Sequence, residues 1–218
     1  MTEQNFTPAL GRLPLPRLYD SVIALTRERL WRSMLAMHAG LRPEDVVIDV
    51  GCGTGSTALL LYGIEPGARV IGVDPDPEML AIARRKAQAA GAEGVDWRAG
   101  MGDALEEVVD TGSADTIVSS LVLHQCPVAT KRAILASMRE TLRPGGKVVI
   151  ADFGRQRTPL TRLAFRVVQL ADGREDTQFN ADGRLPGLMY EVGFRHVRET
   201  GTVSTVNGSI SRYTAHRT

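Results

Sequence analysis

Cysteine is scarce in this chain of 218 residues, with Cys52 and Cys126 the only two. One sits in a glycine-rich turn and the other precedes a proline, which excludes the disulfide framework of a small secreted domain and gives a cytoplasmic expectation. A surplus of one charge is also missing. Lys plus Arg total 26 against 25 for Asp plus Glu, so no overall cationic field favours nucleic acid or an anionic membrane. No apolar run reaches 18 residues, and no membrane span is expected. Met1 to Pro16 lacks the apolar stretch and cleavage site of a signal peptide. Repeats, heptads and low-complexity tracts are absent, although Thr2 to Pro16, with three prolines, reads as a loosely structured leader.

What is present is a hydrophobic content of 43%, enough to bury one full core. The division expected is residues 1–40 as leader and lid helices and residues 41–218 as the body of a single domain. Tyr19 to Ala39 has apolar residues at helical spacing and stops at Gly40. Val46 to Val50 then reads as a strand, Gly51 to Gly55 as a tight turn, and Ser56 onward as a helix. The rhythm repeats with strands at Arg69 to Asp74, Val95 to Ala99, Asp115 to Leu123 and Lys147 to Phe153. Helices are expected at Pro77 to Ala90 and Val128 to Leu142. Such alternation predicts an α/β fold, a doubly wound Rossmann-like sheet of seven mostly parallel strands with helices on both faces. Beyond Phe153, Leu160 to Ala171 predicts a helix, Asp172 to Asp182 a polar loop, and Leu185 to Val192 another helix. Two strand-like runs meeting at Asn207-Gly208 predict a closing antiparallel hairpin.

The turn carries the chemistry. Glycines at 51, 53 and 55 allow close backbone approach, at the carboxyl end of a first parallel strand and against a helix N-terminus, where open sheets bind ligands. A dinucleotide fingerprint needs glycine at 56, which is Ser56. Asp74 closes the second strand nineteen positions after Gly55, where a carboxylate can accept from both hydroxyls of a ribose. An adenosine-containing ligand fits that spacing.

The run Val46-Val47-Ile48-Asp49-Val50-Gly51-Cys52-Gly53-Thr54-Gly55, followed by Gly72-Val73-Asp74, resembles the class I S-adenosylmethionine-dependent methyltransferases. Gly102-Asp103-Ala104, the run Asp115 to Leu123, and Leu142-Arg143-Pro144-Gly145-Gly146-Lys147 extend the match in order. A Tyr-Asp pair, Tyr19-Asp20, ahead of the core is similar to the small-molecule branch that includes the ubiquinone and menaquinone C-methyltransferases. The resemblance implies S-adenosylmethionine as cofactor and S-adenosylhomocysteine as product. It implies that Asp49 orders the turn and meets the methionine amino group, and that Gly51 and Gly53, with Cys52 and Gly55 in the same turn, pass beside methionine and ribose. Asp74 would hold the ribose, Asp103 with Gly102 and Ala104 would meet the adenine, Pro75 and Met79 would pack its face, and Ser119 and Ser120 would lie under the methionine moiety.

Two residues are candidates for catalysis. His124, just past the fourth strand, is either a general base or a structural or substrate-positioning histidine. Tyr19 either closes over the methionine group or packs a helix. Cys126 lacks any visible activating charge for a nucleophile, Asp74 and Asp103 could instead cap helices, and Asp152 has no acidic partner for a metal, so none is expected. The acceptor expected is a small, partly hydrophobic molecule, methylated by in-line displacement in a pocket of the N-terminal helices and of Leu160, Leu163, Phe165, Val167, Val168 and Leu170, residues that could equally cover the sheet. The chain is expected to be a monomer or homodimer. A nicotinamide-dependent oxidoreductase and a catalytically silent adenosyl-ligand-binding protein are the competing readings.

Overall fold

The computed structural model describes residues 27–218. Seven strands form one sheet in the order β3-β2-β1-β4-β5-β7-β6. They are β1 (Val46–Val50), β2 (Arg69–Asp74), β3 (Asp96–Ala99), β4 (Ala114–Ser120), β5 (Leu142–Phe153), β6 (Arg195–Thr205) and β7 (Gly208–His216). The first five run parallel, and β7 enters antiparallel between β5 and β6. The hairpin turns at Asn207, as expected. Chain order reverses at β1, whose two neighbours are β2 and β4, and the crevice at such a switch point is where open sheets take ligands.

Among the described residues seven helices cover the sheet: α1 (Glu28–Ala39), α2 (Ser56–Ile64), α3 (Pro77–Ala89), α4 (Val128–Thr141), α5 (Pro159–Asp172), α6 (Arg174–Ala181) and α7 (Leu185–Glu191). Side chains alternate along each strand, so β1 sends Ile48 and Val50 to one face and Val47 to the other. The first face is closed by Ile134, Leu135 and Met138 of α4 and Leu188 of α7. The second is closed by Trp31 and Leu35 of α1, Leu61 of α2 and Phe165 of α5. Residue 40 thus marks no break in packing, because α1 shares the core of the body. Each large side chain buried there contributes roughly 1.5–3 kcal/mol.

Three details differ from expectation. The stretch expected as a polar loop is helical as α6. Its apolar content is one buried residue, Phe179, under Arg184, while Asn180 is buried through a bond from its amide to the Phe153 carbonyl and Thr177 donates to the Gly173 carbonyl. A helix anchored by buried polar groups shows no apolar stripe. The second difference concerns α5, where Phe165 and Val168 are buried but Leu160, Leu163, Val167 and Leu170 face outward, neither lining a pocket nor covering the sheet. The third is the glycine turn. A Cβ at Gly55, where φ is +79°, would stand 2.4 Å from the Trp97 ring, and one at Gly72 would stand 2.6 Å from it. Those glycines make room for an indole rather than for a ligand.

Candidate active site

A cleft of about 830 Å³, counting the solvent in its open mouth, lies over the carboxyl ends of β1, β2 and β4. Its floor is Val50, Gly51 and Gly53; one side is Asp74, Pro75, Asp76 and Met79; Met101, Gly102 and Asp103 follow β3; the opposite wall is Leu121, Val122 and Gln125 to Pro127, with Thr130 and Ile134 from α4.

The floor is held by hydrogen bonds from within the chain. Asp74 accepts from the Gly53 amide (2.8 Å) and the Asp76 amide (2.9 Å), so it braces the turn while still facing the cleft. Burial raises its pKa, and those two amides oppose the rise. The cap of α3 is Asp76, which accepts from Glu78 and Met79; Asp74 stands one step outside it. Gly51, at φ +71°, is obligatory because a Cβ would fall 2.3 Å from Val122. On the far side of the turn the Lys86 ammonium donates to Thr54 (3.0 Å) and Ser56 (2.9 Å). Leu121 holds φ +57°, a conformation costing on the order of 1–2 kcal/mol for a residue with a side chain. Its amide is fastened to the Ala151 carbonyl (2.9 Å), which aims the backbone of the cleft wall.

Asp49 lies beneath this floor, fully buried on the α1 and α2 side of the sheet. Among the described residues neither carboxylate oxygen accepts a hydrogen bond of ordinary geometry. Burial lifts its pKa from an ordinary 3.8 to about 7, against the pull of Arg32 and of the Ala58 amide. An unsatisfied buried carboxylate under a backbone turn is a receptor for a cation or a donor group.

The placement of His124 favours the structural or positioning alternative over the base. It is buried and absent from the cleft lining. Its Nδ1 meets Asp152 at 2.7 Å and its Nε2 meets Asp172 at 3.4 Å. Burial disfavours the charged ring, but the two carboxylates outweigh it and raise the pKa from 6.5 to about 9. Both ring nitrogens are engaged by carboxylates from β5 and the end of α5, which holds the ring away from the cleft. Lys131, buried nearby, donates to the carbonyls of Cys126 (2.5 Å) and Asp176 (2.9 Å). Cys126 does line the cleft, yet burial drives its thiol up to about 11, away from the thiolate a nucleophile needs.

Of the other expected residues, Gly51, Gly53, Asp74, Pro75, Met79, Gly102 and Asp103 are brought together around the cleft. Cys52, Gly55, Ala104, Ser119 and Ser120 are outside its lining. Ser119 donates to the Val50 carbonyl (2.9 Å) and Ser120 meets Thr57 (3.2 Å), so both hydroxyls tie β4 to its neighbours. Asp103 caps nothing, since the short 3-10 turn Leu105–Glu107 begins at Ala104 without a side-chain cap. Tyr19 lies outside the described residues. Sequence reasoning missed Lys86, Leu121, Val122, Gln125, Thr130 and Ile134. Lys86 stands three positions after Ala83, which packs on Gly55, and helical spacing alone carries that signal. Among the described residues no cluster fit for a metal ion occurs, and no helix is long and apolar enough to cross a membrane.

A methyltransferase-domain family model matches residues 47–146. The chain is 30% identical over 212 residues to a ubiquinone/menaquinone biosynthesis C-methyltransferase of a Geobacter species, covering 87% of this chain and 88% of that protein. It is 32% identical over 136 residues to a demethylmenaquinone methyltransferase of Thermus thermophilus, covering 62% of this chain and 60% of that one, so it spans less than two thirds of that relative's length. A phosphoethanolamine N-methyltransferase of Haemonchus contortus, solved with S-adenosylmethionine, shares the fold with a TM-score of 0.72 at 15% identity, over 93% of this chain and 59% of its own. The chain belongs to the class I S-adenosylmethionine-dependent methyltransferases. Within that class it resembles the quinone C-methyltransferases. The family sets the cofactor as S-adenosylmethionine and the product as S-adenosylhomocysteine; neither the nicotinamide reading nor the silent-binder reading is favoured.

Proposed function

We propose that this protein methylates a small, partly hydrophobic acceptor, of the ring-carbon type named for its quinone-methylating relatives, by in-line displacement at the mouth of the cleft. The observation that carries this reading is a buried carboxylate, Asp49, without a hydrogen-bond partner of ordinary geometry among the described residues, on the strand whose carboxyl end floors the apolar cleft. When bound, S-adenosylmethionine supplies an electrophilic methyl group on a sulfonium. Asp49 fits its ammonium from below the turn, Asp74 fits the ribose hydroxyls, and Pro75, Met79, Met101 and Asp103 fit the adenine. Ser119 and Ser120 act by holding the floor against β4. Tyr19, on the segment before α1, is proposed to close over the methionine end.

The chain's own contribution is then orientation. Leu121, Val122, Thr130 and Ile134 present a water-poor wall against which an apolar ring can lie in line with the transferred group, and positioning of that kind supplies several kcal/mol. His124 is held by Asp152 and Asp172 outside the cleft lining, so among the described residues no imidazole stands in the wall to take a proton, which favours acceptors that are already electron-rich or ionise unaided. Two free thiols fit a reducing compartment such as the cytoplasm, where the protein is proposed to act as a monomer or homodimer.

Calorimetry with S-adenosylhomocysteine on the wild type and on Asp74→Ala tests the site, followed by methyl transfer to simple hydroquinones and to small polar amines. Binding lost in the variant, with turnover confined to the hydroquinones, is the expected result. Binding with turnover only of amines would overturn the acceptor, and equal binding by Asp74→Ala would overturn the assignment of the ribose.

A further inference from the structure

The outward stripe on α5 has no use in the chemistry above. Leu160, Leu163, Val167 and Leu170 are exposed at 75%, 59%, 59% and 87%. With Ala171, also exposed, and Ala164, they occupy a single arc of the helix, away from the arc that buries Phe165 and Val168. Four large apolar side chains contiguous on one exposed face form a patch of the kind that marks an interaction site.

Along the helix up to Ala171 the charged side chains are all basic, and the acids follow only from Asp172 on. From Gly154 to Ala171 the chain has Arg155, Arg157, Arg162 and Arg166 and not one Asp or Glu. Arg157 is paired with Glu199 on β6 (2.7 Å). The other three line a hollow between α5 and α6, beside Gln169 and Gln178, with Asp182 as its only acid. Asp182 is already engaged by the Gln178 amide (2.8 Å). The near-neutral net charge of the whole chain conceals this local excess, which composition counting cannot show.

We propose that α5 is an interfacial helix that seats this protein on an anionic lipid surface. Its leucines and Val167 enter the boundary of headgroup and acyl chain, and Arg155, Arg162 and Arg166 meet lipid phosphates. An exposed apolar arc edged by arginines has the chemistry such a surface selects, whereas a water-soluble acidic partner would leave the leucines unmatched. The helix is also tied to the cleft: Asp172 at its end meets His124, and Phe165 stacks on Phe153 (5.1 Å), which in turn meets the His124 ring (5.0 Å). The turn that carries His124 continues into Gln125 and Cys126 of the cleft wall. The inference stands on the helix alone and is independent of which acceptor is methylated.

Co-sedimentation of the full chain with phosphatidylcholine vesicles, with and without phosphatidylglycerol, tests it. Binding is expected only to the anionic vesicles and is expected to weaken with added salt. The double substitution Leu163→Glu/Leu170→Glu should lower it at least tenfold. Arg162→Gln/Arg166→Gln should lower it about fivefold per arginine removed. Unchanged affinity for S-adenosylhomocysteine shows that both variants remain folded. Failure of the wild type to bind either vesicle, or equal binding by the variants, overturns the proposal. So does a dimer in sedimentation velocity that Leu170→Glu dissolves, because the patch would then belong to a second copy of the chain.

Discussion

The carboxyl ends of β1 and β5 each bury an aspartate, and the two are treated in opposite ways. Asp152, near the end of β5, accepts from the amides of Leu123, His124 and Phe153 and from the His124 ring. Asp49, like Asp152 the penultimate residue of its strand, accepts no bond of ordinary geometry among the described residues. Satisfied, a buried carboxylate is architecture: Asp152 fixes the turn that follows β4. Unsatisfied, it is a standing cost, retained in a stable fold only where something outside the fold repays it. The contrast separates a structural acid from a receptor more clearly than burial, which is nearly complete for both.

The same isosteric change at both positions should have opposite effects. Asp152→Asn sets an amide donor against donors and leaves His124 with less counter-charge, so a loss of about 3–5 kcal/mol is expected in urea unfolding. A loss below about 1 kcal/mol would mean that the network is not the anchor of that turn. Next in size, the His124 pairing should appear as a pH dependence. A folded pKa of about 9, above the ordinary 6.5, gives stabilisation that is complete below about 6.5 and is lost as pH rises through about 9. The swing is on the order of 3 kcal/mol and should vanish in His124→Gln.

Asp49→Asn should raise the melting temperature above neutral pH. Its carboxyl, held at about 7 in the fold against an ordinary 3.8, imposes a penalty that builds as pH rises between those values and is complete above about 7, and the amide removes it. The same variant should weaken S-adenosylhomocysteine by about 1.5–3 kcal/mol, the worth of a charged hydrogen bond. For the wild type, that affinity should strengthen as pH rises toward about 7 and level off above it, because an ammonium binds the ionised form. Last, Cys126→Ala should leave methyl transfer within about twofold; a complete loss would restore the thiol as a participant.

Much of the sheet was legible because its strands are apolar runs punctuated by glycine and aspartate: Val46 to Val50 and Arg69 to Asp74 have the bounds the sequence suggests. The hairpin was legible from Asn207-Gly208. What stayed hidden depends on partners distant in sequence. Nothing near Thr177 or Asn180 announces that they are buried, so α6 read as a loop. Asp172 lies 48 positions from His124, and without that contact the histidine stayed open between a base and a structural or positioning role. Gly55 looked like space for a ligand, and only the placement of Trp97 shows otherwise. Cleft residues after β1, β2 and β3 could be named from local motifs, whereas those after β4, such as Leu121 and Val122, have no motif and enter through the topology.

The indole of Trp97, wedged against Gly55 and Gly72, has an optical consequence. The chain has two tryptophans, and Trp31 is sealed in the core beneath α1. In a Trp31→Phe chain all tryptophan emission would come from a ring touching the turn on which the cofactor rests. Any tightening of that turn would shift its spectrum, so occupancy of the site could be followed by intrinsic fluorescence, with no label attached and before a single methyl acceptor is known.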